Sequence, residues 1–416
     1  MKKFIPVFLV IFVVFISAMI VGFAKAEQKE DIYKNLDLFG EALAIIQTKY
    51  VEEKSSQDLI HGALEGLLMS LDSYSQFLDP EGYKELLVET EGKFGGLGIE
   101  ITMRDGLLTI VSPLEDSPAW YAGIKAGDII VKIDGKVTKG ITLHQAVAKL
   151  RGKPGTEVVL TVLRDDEDRK IEEVKITRDI IKIKDIKRAV ILENGVGYIR
   201  LSEFRESTAK DLGKALKSLD KQGMKALILD LRNNPGGLLN SATDVSSYFL
   251  KNNDLIVYTK SKDGREVRFE ASFTPEKYLD APMVILINKG SASGSEIVAA
   301  ALRENNRAIL LGEKSFGKGS VQTVVPLSDG SAMRLTTAKY YTPLGTSIHD
   351  KGIIPDIVVE KKEVKPDKEE DIFEEIKEGD KEFNYKQDYQ IVRALDLIRG
   401  LMIMSYLPKA AAGEKK

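Results

Sequence analysis

The sequence contains no cysteine, and this absence excludes several kinds of chemistry at once. Disulfides, thiolate nucleophiles and metal or iron–sulfur sites with cysteine ligands all require that residue. Histidine is almost as scarce, because only His61, His144 and His349 occur among 416 residues. None of them lies in an H-E-x-x-H pattern, so we expect surface or capping roles for all three. Any catalysis must therefore come from other residue types.

A strong excess of either charge is also lacking. The chain has 60 Lys and Arg against 63 Asp and Glu, a formal net charge of -3, and its basic residues are dispersed. Binding to a phosphate backbone requires a concentrated basic field, so nucleic acid is not expected as a partner. With 43% hydrophobic residues the chain can form cores, and its length predicts two or three domains rather than one.

The N-terminus predicts an export signal. Lys2 and Lys3 precede an apolar run over residues 4–24, and the Ala24-Lys25-Ala26 sequence that follows predicts cleavage before Glu27. The run is also about as long as the roughly 20 residues that span a bilayer, so a retained membrane anchor is equally open. Both interpretations place the rest of the chain in the periplasm or on the extracytoplasmic face of the cytoplasmic membrane.

The texture of the remaining sequence predicts a multidomain α/β (α+β) protein. After the signal at 1–26, residues 27–91 have the apolar spacing of helices, and residues 92–178 contain short β-rich runs separated by Gly, Asp and Pro. Strands and helices alternate over 179–360, which predicts an α/β core. Residues 361–416 form a charged linker followed by an amphipathic helix.

A glycine-rich turn opens the predicted β-domain. In Gly95-Gly96-Leu97-Gly98 the missing Cβ atoms allow backbone N–H groups to converge on an anion, although such a turn is more often only a tight turn. The sequence from "DSPAWYAGIKAGDIIVKIDG" to "TEVVLTVLR" resembles the PDZ family. By this resemblance Gly96, Leu97, Gly98 and Ile99 form the loop and strand that bind the carboxylate of a protein C-terminus.

A serine-rich turn follows a predicted strand in the α/β core. In "NKGSASGSEIVAAAL" the strand "MVILIN" leads into small residues that open a helix, where a hydroxyl lies near helix-terminal N–H groups. Ser291, Ser293 and Ser295 are all candidates for a nucleophile. Ser and Gly are also preferred at any helix start, so the segment alone is more typical of an ordinary cap.

A second segment, "GEKSFGKGSVQTVVPL", begins like a phosphate-binding loop, with Gly312, Gly317 and Lys318 at the required spacing. Gly319 stands where that loop needs Ser or Thr to coordinate magnesium, so nucleotide binding is only a minor alternative. Small and apolar neighbours predict instead a poorly hydrated pocket that lowers the pKa of Lys318. A neutral lysine is able to act as a general base for a serine.

From about residue 36 to 360 the chain resembles the carboxyl-terminal processing peptidases, or tail-specific proteases, of serine peptidase family S41. The stretches that carry the resemblance, in the family's order, are "LDSYSQFLDP", the PDZ segment, "LILDLRNNPGGLL", "NKGSASGSEIVAAAL", "EKSFGKGSVQTVVPL" and "YYTPLGTSIHDKGIIPDIVV". The resemblance implies a PDZ domain inserted before a crotonase/ClpP-like α/β peptidase core. It also implies Ser293 as nucleophile, Lys318 as general base and Gln322 as the residue that orients the lysine amine.

The same resemblance implies an oxyanion hole made of two backbone amides. One belongs to Gly294, where the family usually has alanine, and we expect a more flexible donor there. The other belongs to Gly236 or Gly237 of "NNPGG", and the sequence does not distinguish them.

The resemblance implies an endopeptidase that recognises protein C-termini and needs no metal or organic cofactor. Its expected partners are proteins or peptides with exposed apolar C-termini, and the family allows for a homodimer or higher oligomer and a regulatory adaptor. A non-catalytic PDZ adaptor is the alternative from another class. The joint presence of Ser293, Lys318 and Gln322 argues against it.

Overall fold

The computed structural model describes residues 33–114, 116–164, 170–272, 278–360 and 383–406, so the predicted signal at 1–26 and most of the charged linker lie outside the described residues. The chain divides into two compact units, one of Met1–Asp79 with Val324–Leu335 and one of Pro80–Thr323 with Thr336–Lys416. In the part of the chain that is described, no helix combines the length and the apolar character needed to cross a bilayer.

The first unit contains two helices and a strand pair. Helices α1 (33–49) and α2 (Ser56–Met69) lie where the apolar spacing predicts them, and β1 (Gln76–Leu78) follows. β1 pairs antiparallel with residues 332–334 of strand β18. Several large apolar side chains of α1 are exposed, among them Tyr33, Leu36 and Leu38.

The second unit begins with α3 (Pro80–Glu91) and a small β-domain. Its main sheet has the order β3-β4-β5-β7-β8, β6 pairs with β5, and β2 pairs antiparallel with β9. Alternate side chains of these strands form an apolar core with helix α5. The elements are β2 (Lys93–Gly96), β3 (Ile99–Arg104), β4 (Leu107–Pro113), α4 (Pro118–Tyr121), β5 (Ile129–Ile133), β6 (Lys136–Val137), α5 (Leu143–Leu150), β7 (Glu157–Leu163), β8 (Ile171–Thr177) and β9 (Asp179–Lys182).

A six-stranded sheet organises the rest of this unit in the order β10-β11-β12-β15-β16-β19. β10 is antiparallel to β11, and the other neighbours are parallel. The elements from β10 onward are β10 (Ile186–Ile191), β11 (Val196–Leu201), α6 (Thr208–Lys221), β12 (Ala226–Asp230), α7 (Leu239–Ser247), β13 (Leu255–Ser261), β14 (Glu266–Glu270), β15 (Met283–Ile287), α8 (Gly294–Glu304), β16 (Ile309–Gly312), β17 (Ser320–Pro326), β18 (Ala332–Tyr341), β19 (Ile357–Val358) and α9 (Tyr389–Tyr406).

Burial on both faces explains why the central strands have continuous apolar sequences. Every residue of β12 and β15 is buried, as expected for parallel strands covered on each side. Residues such as Leu227 and Ile285 pack with α6, α7 and α8, whereas their neighbours Ile228 and Val284 pack with α9. The mixed α/β class predicted from the sequence is confirmed. The parallel order also brings the ends of β12 and β15, and the loops that follow them, side by side.

An antiparallel sheet contains β13, β14, β17 and β18. β13 pairs with β14 and with residues 338–341 of β18, and β17 also pairs with β18. The backbone N–H of Tyr340 on β18 donates to the carbonyl of Gly319 at 2.9 Å. This bond connects β18 with the loop that carries Lys318.

Candidate active site

Ser293 occupies the junction between β15 and α8 in a conformation that L-residues rarely adopt. Its φ is 52° and its ψ is -113°, and only 5% of the residue is exposed. A non-glycine residue with positive φ costs about 1–3 kcal/mol and is maintained only where surrounding contacts fix it. Such a strained turn from strand to helix is typical of nucleophilic serines.

Hydrogen bonding distinguishes the three candidate serines. Ser291 Oγ donates to the Leu231 carbonyl at 2.8 Å, and Ser295 Oγ donates to the Asn234 carbonyl at 2.9 Å. Both residues are completely buried. The Ser293 hydroxyl instead lies 3.4 Å from the Tyr340 hydroxyl. Among these three, Ser291 and Ser295 therefore stabilise the loop, and Ser293 has the hydroxyl that is available for chemistry.

The Glu296 carboxylate accepts hydrogen bonds from both segments that carry the predicted catalytic residues. Its Oε2 atom accepts the backbone N–H of Ser293 and that of Lys318, each at 2.9 Å. Its Oε1 atom accepts the Ser315 hydroxyl at 2.5 Å and the Gly317 N–H at 2.7 Å. The backbone nitrogens of Ser293 and Lys318 both donate to Oε2, so the distance between them cannot exceed the sum of these two hydrogen-bond lengths. One buried carboxylate thus holds the backbones of Ser293 and Lys318 close to each other.

The environment of Glu296 has opposing effects on its titration. Burial raises the pKa of Glu296 above its ordinary value, although hydrogen bonds from Ser315, Gly317, Ser293 and Lys318 act in the opposite direction. The three backbone N–H groups can only donate, so these bonds require acceptor oxygens on Glu296, which the ionised form supplies on both atoms.

Lys318 is half-buried in a loop between β16 and β17. The Gly317 carbonyl accepts the Asp350 N–H at 2.9 Å, and the neighbouring Gly319 carbonyl accepts from Tyr340, so the loop is bonded on both sides of the lysine. A phosphate-binding loop would need its N–H groups for a ligand. Here the N–H groups of Gly317 and Lys318 already donate to Glu296, which argues against the nucleotide alternative.

Gln322 lies half-buried on β17, and the NH2 group of its side chain already donates hydrogen bonds. Nε2 donates to the Ser320 hydroxyl at 2.9 Å and to the Ser320 carbonyl at 3.2 Å. The side-chain oxygen is therefore the atom with which Gln322 can accept from an amine.

The loop that follows β12 packs against Ser293. A Cβ built on Gly236 would lie 2.7 Å from the Cβ of Ser293. The Gly236 N–H donates to Asn234 Oδ1 at 2.9 Å and is therefore occupied. Gly237 is exposed, has φ +134°, and approaches Phe204 so closely that a Cβ would lie 2.2 Å from the Phe204 carbonyl oxygen. These contacts favour the Gly237 amide over that of Gly236 as an oxyanion donor.

Gly294 is the first residue of α8, where backbone N–H groups lack intrahelical partners. It is buried, and an added Cβ would lie 3.1 Å from the Phe204 ring and 3.4 Å from the Ala242 Cβ. A side chain at this position would therefore contact Phe204 closely, and the greater flexibility of a glycine donor stays a prediction.

The four predicted carboxylate-binding residues lie together in a groove of the β-domain. Gly96, Leu97, Gly98 and Ile99 line it with Ile101 of β3 and Val147, Leu150 and Arg151 at the end of α5, around a cavity of about 110 Å³. Within the described residues β3 pairs on one side only, with β4, so its other edge can accept an added strand. The groove suits an apolar peptide in extended form.

The histidines lie in other surroundings. His61 Nε2 is 2.9 Å from Asp329 Oδ2, and His144 is largely exposed and 3.7 Å from Glu81. His349 Nε2 is 3.5 Å from Asp350. Across the ranges described above, no group of three or more His, Asp or Glu side chains is arranged to hold a metal ion.

Two residues of the site were missed by sequence reasoning. Glu296 stands three positions after Ser293, a spacing that is also the ordinary capping box of a helix, so the signal was present but ambiguous. Tyr340 is distant in sequence, and only the pairing of β18 with β13 and its bond to Gly319 place it near Ser293.

Comparison with known proteins assigns this arrangement to a family. Residues 195–359 match peptidase family S41, residues 109–164 match the PDZ domain, and residues 18–82 match the activating protease CtpB N-terminal domain. These matches confirm the predicted combination of a PDZ domain with an S41 core.

Similar proteins cover most of the chain. A carboxy-terminal-processing protease of Bartonella bacilliformis is 46% identical over 357 residues, which cover 83% of this chain and 81% of the relative. The carboxy-terminal processing protease CtpA of Bacillus subtilis is 38% identical over 360 residues, covering 86% and 76%. A solved structure from Bacteroides fragilis assigned to the S41 proteases shares the fold, with a TM-score of 0.51, 18% identity and coverage of 86% and 97%. The chain therefore belongs to serine peptidase family S41 and carries a PDZ domain.

Proposed function

We propose that this protein is an endopeptidase that cleaves polypeptides through an acyl-enzyme formed on Ser293, with Lys318 as the general base. The observation that carries the proposal is the single oxygen of Glu296 that accepts the backbone N–H groups of both residues. An arrangement that fixes two chain segments to one atom supplies the fixed geometry that proton transfer between their side chains requires.

In the proposed reaction the Lys318 amine, in its neutral form, removes the hydroxyl proton as Ser293 Oγ attacks the substrate carbonyl. The tetrahedral intermediate collapses when the same proton passes to the leaving amine, and the C-terminal fragment departs. Water then attacks the acyl-enzyme with Lys318 again as base, and Ser293 is regenerated. Gln322 acts as a positioning residue, because its side-chain oxygen is available to accept from the lysine amine.

Two backbone amides are proposed to stabilise the oxyanion. Gly294 follows the nucleophile directly and begins α8, and the exposed Gly237 lies in the loop that packs on Ser293. Donors held by packing need little reorganisation as charge develops, and removing one such donor typically costs about 10²–10³-fold in kcat.

The PDZ groove is proposed to capture the C-terminus of the substrate. Its apolar walls suit apolar terminal side chains, and the glycine-rich turn at Gly96 to Gly98 suits the terminal carboxylate. The relatives are carboxy-terminal processing proteases by name, which supports C-terminal recognition as the role of this domain.

Export of the chain is proposed on the sequence of residues 1–26, with the peptidase outside the cytoplasm and near the membrane. The match to the CtpB N-terminal domain supports a regulated peptidase. A homodimer, assembled through exposed apolar side chains of α1, and a regulatory adaptor are further parts of this proposal.

The test is cleavage of an unstructured protein with an apolar C-terminus by purified variants. Ser293→Ala and Lys318→Ala should each abolish turnover while the melting temperature remains close to that of the wild type. Lys314→Ala, an exposed lysine in the same loop, is the matched control and should remain active. Wild-type activity should rise with pH as the Lys318 amine loses its proton. Near-normal turnover by Lys318→Ala would refute the dyad.

A further inference from the structure

A basic cavity of about 390 Å³ lies beside the loop that carries Gly236 and Gly237. Lys187, Arg188, Arg200 and Arg232 line it together with Asn233 and Phe383. The concentration of positive charge is unusual for this protein, because the chain as a whole has a formal charge of -3.

Two arginines face each other directly across neighbouring strands in this cavity. Arg188 of β10 and Arg200 of β11 are register partners in the antiparallel pair, and the register shifts between Ile186 and Arg188. The irregularity puts Lys187 next to the two arginines. Like charges directly opposite in a sheet are destabilising, and bulges are frequent where a strand directs a side chain toward a functional site. A repulsive arrangement of this kind is expected where an anion binds.

Two carboxylates near the cavity, Asp230 and Asp388, already form ion pairs. Asp230 pairs with Arg232 at 2.6 Å and accepts the Tyr198 hydroxyl at 2.7 Å, and Asp388 pairs with Arg232 at 2.8 Å. In the described part of the chain no carboxylate lies within salt-bridge distance of Lys187, Arg188 or Arg200. Counted over the described residues, the cavity therefore has a surplus of positive charge.

The basic side chains are exposed yet partly ordered. Lys187, Arg188 and Arg200 are solvent-accessible, and the Arg188 guanidinium lies 4.4 Å from the centre of the Phe383 ring. That ring also stacks on Tyr198 with centroids 5.1 Å apart. An arginine oriented in this way keeps its N–H groups in a plane that suits two-pronged bonding to a carboxylate.

The cavity is adjacent to the proposed oxyanion donor. Asn233 lines it, and Gly237 follows four positions later in the chain, which limits their separation to about 14 Å. Ser202 also lines the cavity. Two positions later, the Phe204 N–H donates to the Gly236 carbonyl and the Phe204 carbonyl accepts the Leu238 N–H, so this segment is bonded to the same loop. An extended substrate has a similar rise per residue, so about four residues span this distance.

We infer that the cavity lined by Lys187, Arg188 and Arg200 is a subsite for acidic side chains of the substrate polypeptide, within about four residues of the scissile bond. The inference rests on the proposed function at Ser293 and specifies its substrate class. The subsite binds carboxylates through charge-assisted hydrogen bonds, whereas the PDZ groove binds the apolar C-terminus.

The experiment compares two unstructured substrates with the same apolar C-terminus. One carries Glu, and the other carries Gln, at matched positions up to four residues on each side of the cleaved bond. The wild type should prefer the Glu substrate by about fivefold in kcat/KM. The double variant Arg188→Gln/Arg200→Gln should reduce this ratio to near one, and Arg200→Gln alone should give an intermediate ratio. The preference should also fall between about 0.05 M and about 0.5 M salt.

The control is Arg265→Gln, an exposed arginine in the β13–β14 turn, which should keep the wild-type ratio. Thermal melting verifies that the variants fold, and removal of the repulsion should leave the double variant at least as stable as the wild type. A wild-type ratio of one, or an unchanged ratio in the double variant, overturns the inference.

A binding measurement separates this inference from the proposed mechanism. Fluorescence anisotropy with the inactive Ser293→Ala variant compares labelled Glu and Gln peptides without any cleavage. Tighter binding of the Glu peptide that depends on Arg188 and Arg200 supports the subsite even if turnover is never observed. Cleavage without any Glu preference in either assay leaves the mechanism intact and refutes the subsite.

Discussion

The carboxylate of Glu296 gives the most direct test of how the site is held together. In Glu296→Gln the shape of the side chain is retained, but one acceptor oxygen becomes an NH2 donor. If the remaining oxygen faces Ser293 and Lys318, the NH2 group opposes the Gly317 N–H, whereas the Ser315 hydroxyl can rotate to accept. The reverse orientation leaves two backbone N–H groups without an acceptor.

The expected loss of stability follows from this count. One buried donor without a partner costs about 1–3 kcal/mol, so the cheaper orientation predicts a loss of that size. For a domain of this size such a loss lowers the melting temperature by roughly 3–10 °C. Activity should fall further, because a displacement of about 1 Å between catalytic groups can reduce the rate about 10²-fold.

Glu304→Gln is the matched control on the same helix. Glu304 accepts a single backbone N–H, from Leu344 at 2.8 Å, and a glutamine oxygen can still accept that bond. Calorimetric melting and kcat on the same substrate should therefore show a small change for Glu304→Gln and a large one for Glu296→Gln. Wild-type turnover by Glu296→Gln would show that the shared carboxylate does not position the two segments.

The same residue predicts the acid side of the activity profile. Because burial raises the pKa of Glu296, the folded protein takes up this proton at a higher pH than the unfolded chain does. Protonation at this site therefore does not by itself unfold the protein. It removes one acceptor, so kcat should fall with decreasing pH before the melting temperature does. The two profiles, measured in parallel, should separate, and coincident profiles would contradict this role.

Three further outcomes are expected. Gly237→Ala should lower the free energy of unfolding by about 2–4 kcal/mol, since its Cβ would meet a carbonyl oxygen at φ +134°. The control Gly264→Ala, at φ +79° in open space, should lower it by about 1–2 kcal/mol. Denaturant titrations measure both losses. Tyr340→Phe should change kcat by less than about tenfold and should keep the rise of activity at alkaline pH. The reason is that the contact between the Tyr340 and Ser293 hydroxyls is long and that burial raises the pKa of Tyr340. If the variant lost this rise of activity, the rise would be assigned to the tyrosine. Burial acts to raise the pKa of Asp388, but its partner Arg232 lowers it overall. The stability that this ion pair contributes to the fold is therefore present above about pH 4 and is lost as the pH falls further. Melting curves of Asp388→Asn should lack that acid dependence.

Much of the fold could be predicted because local patterns and global packing agree. The continuous apolar runs of β12 and β15 identify buried parallel strands, and the helical spacing in α2 and α9 identifies their apolar faces. The turn at Ser293 also follows from local sequence, since small residues between an apolar strand and a helix predict a tight junction.

The parts that could not be predicted depend on contacts between distant segments. Residue type and spacing alone leave Ser291, Ser293 and Ser295 equivalent, so only the family resemblance selects Ser293, and their different hydrogen-bond partners appear only in the structure. The cross-strand pairing of Arg188 with Arg200 depends on a register shift that no local signal marks. The choice between Gly236 and Gly237 likewise depends on a side chain, Asn234, that accepts one of the two amides.

The positive φ of Ser293 implies that the folded protein would be more stable with a glycine at this position. Glycine adopts such a backbone conformation without the penalty that a Cβ imposes, so a glycine at this position would relieve strain while removing the proposed nucleophile. Selection for heat resistance alone would thus favour an inert protein. On the proposed mechanism, function rather than folding accounts for a side chain at this turn.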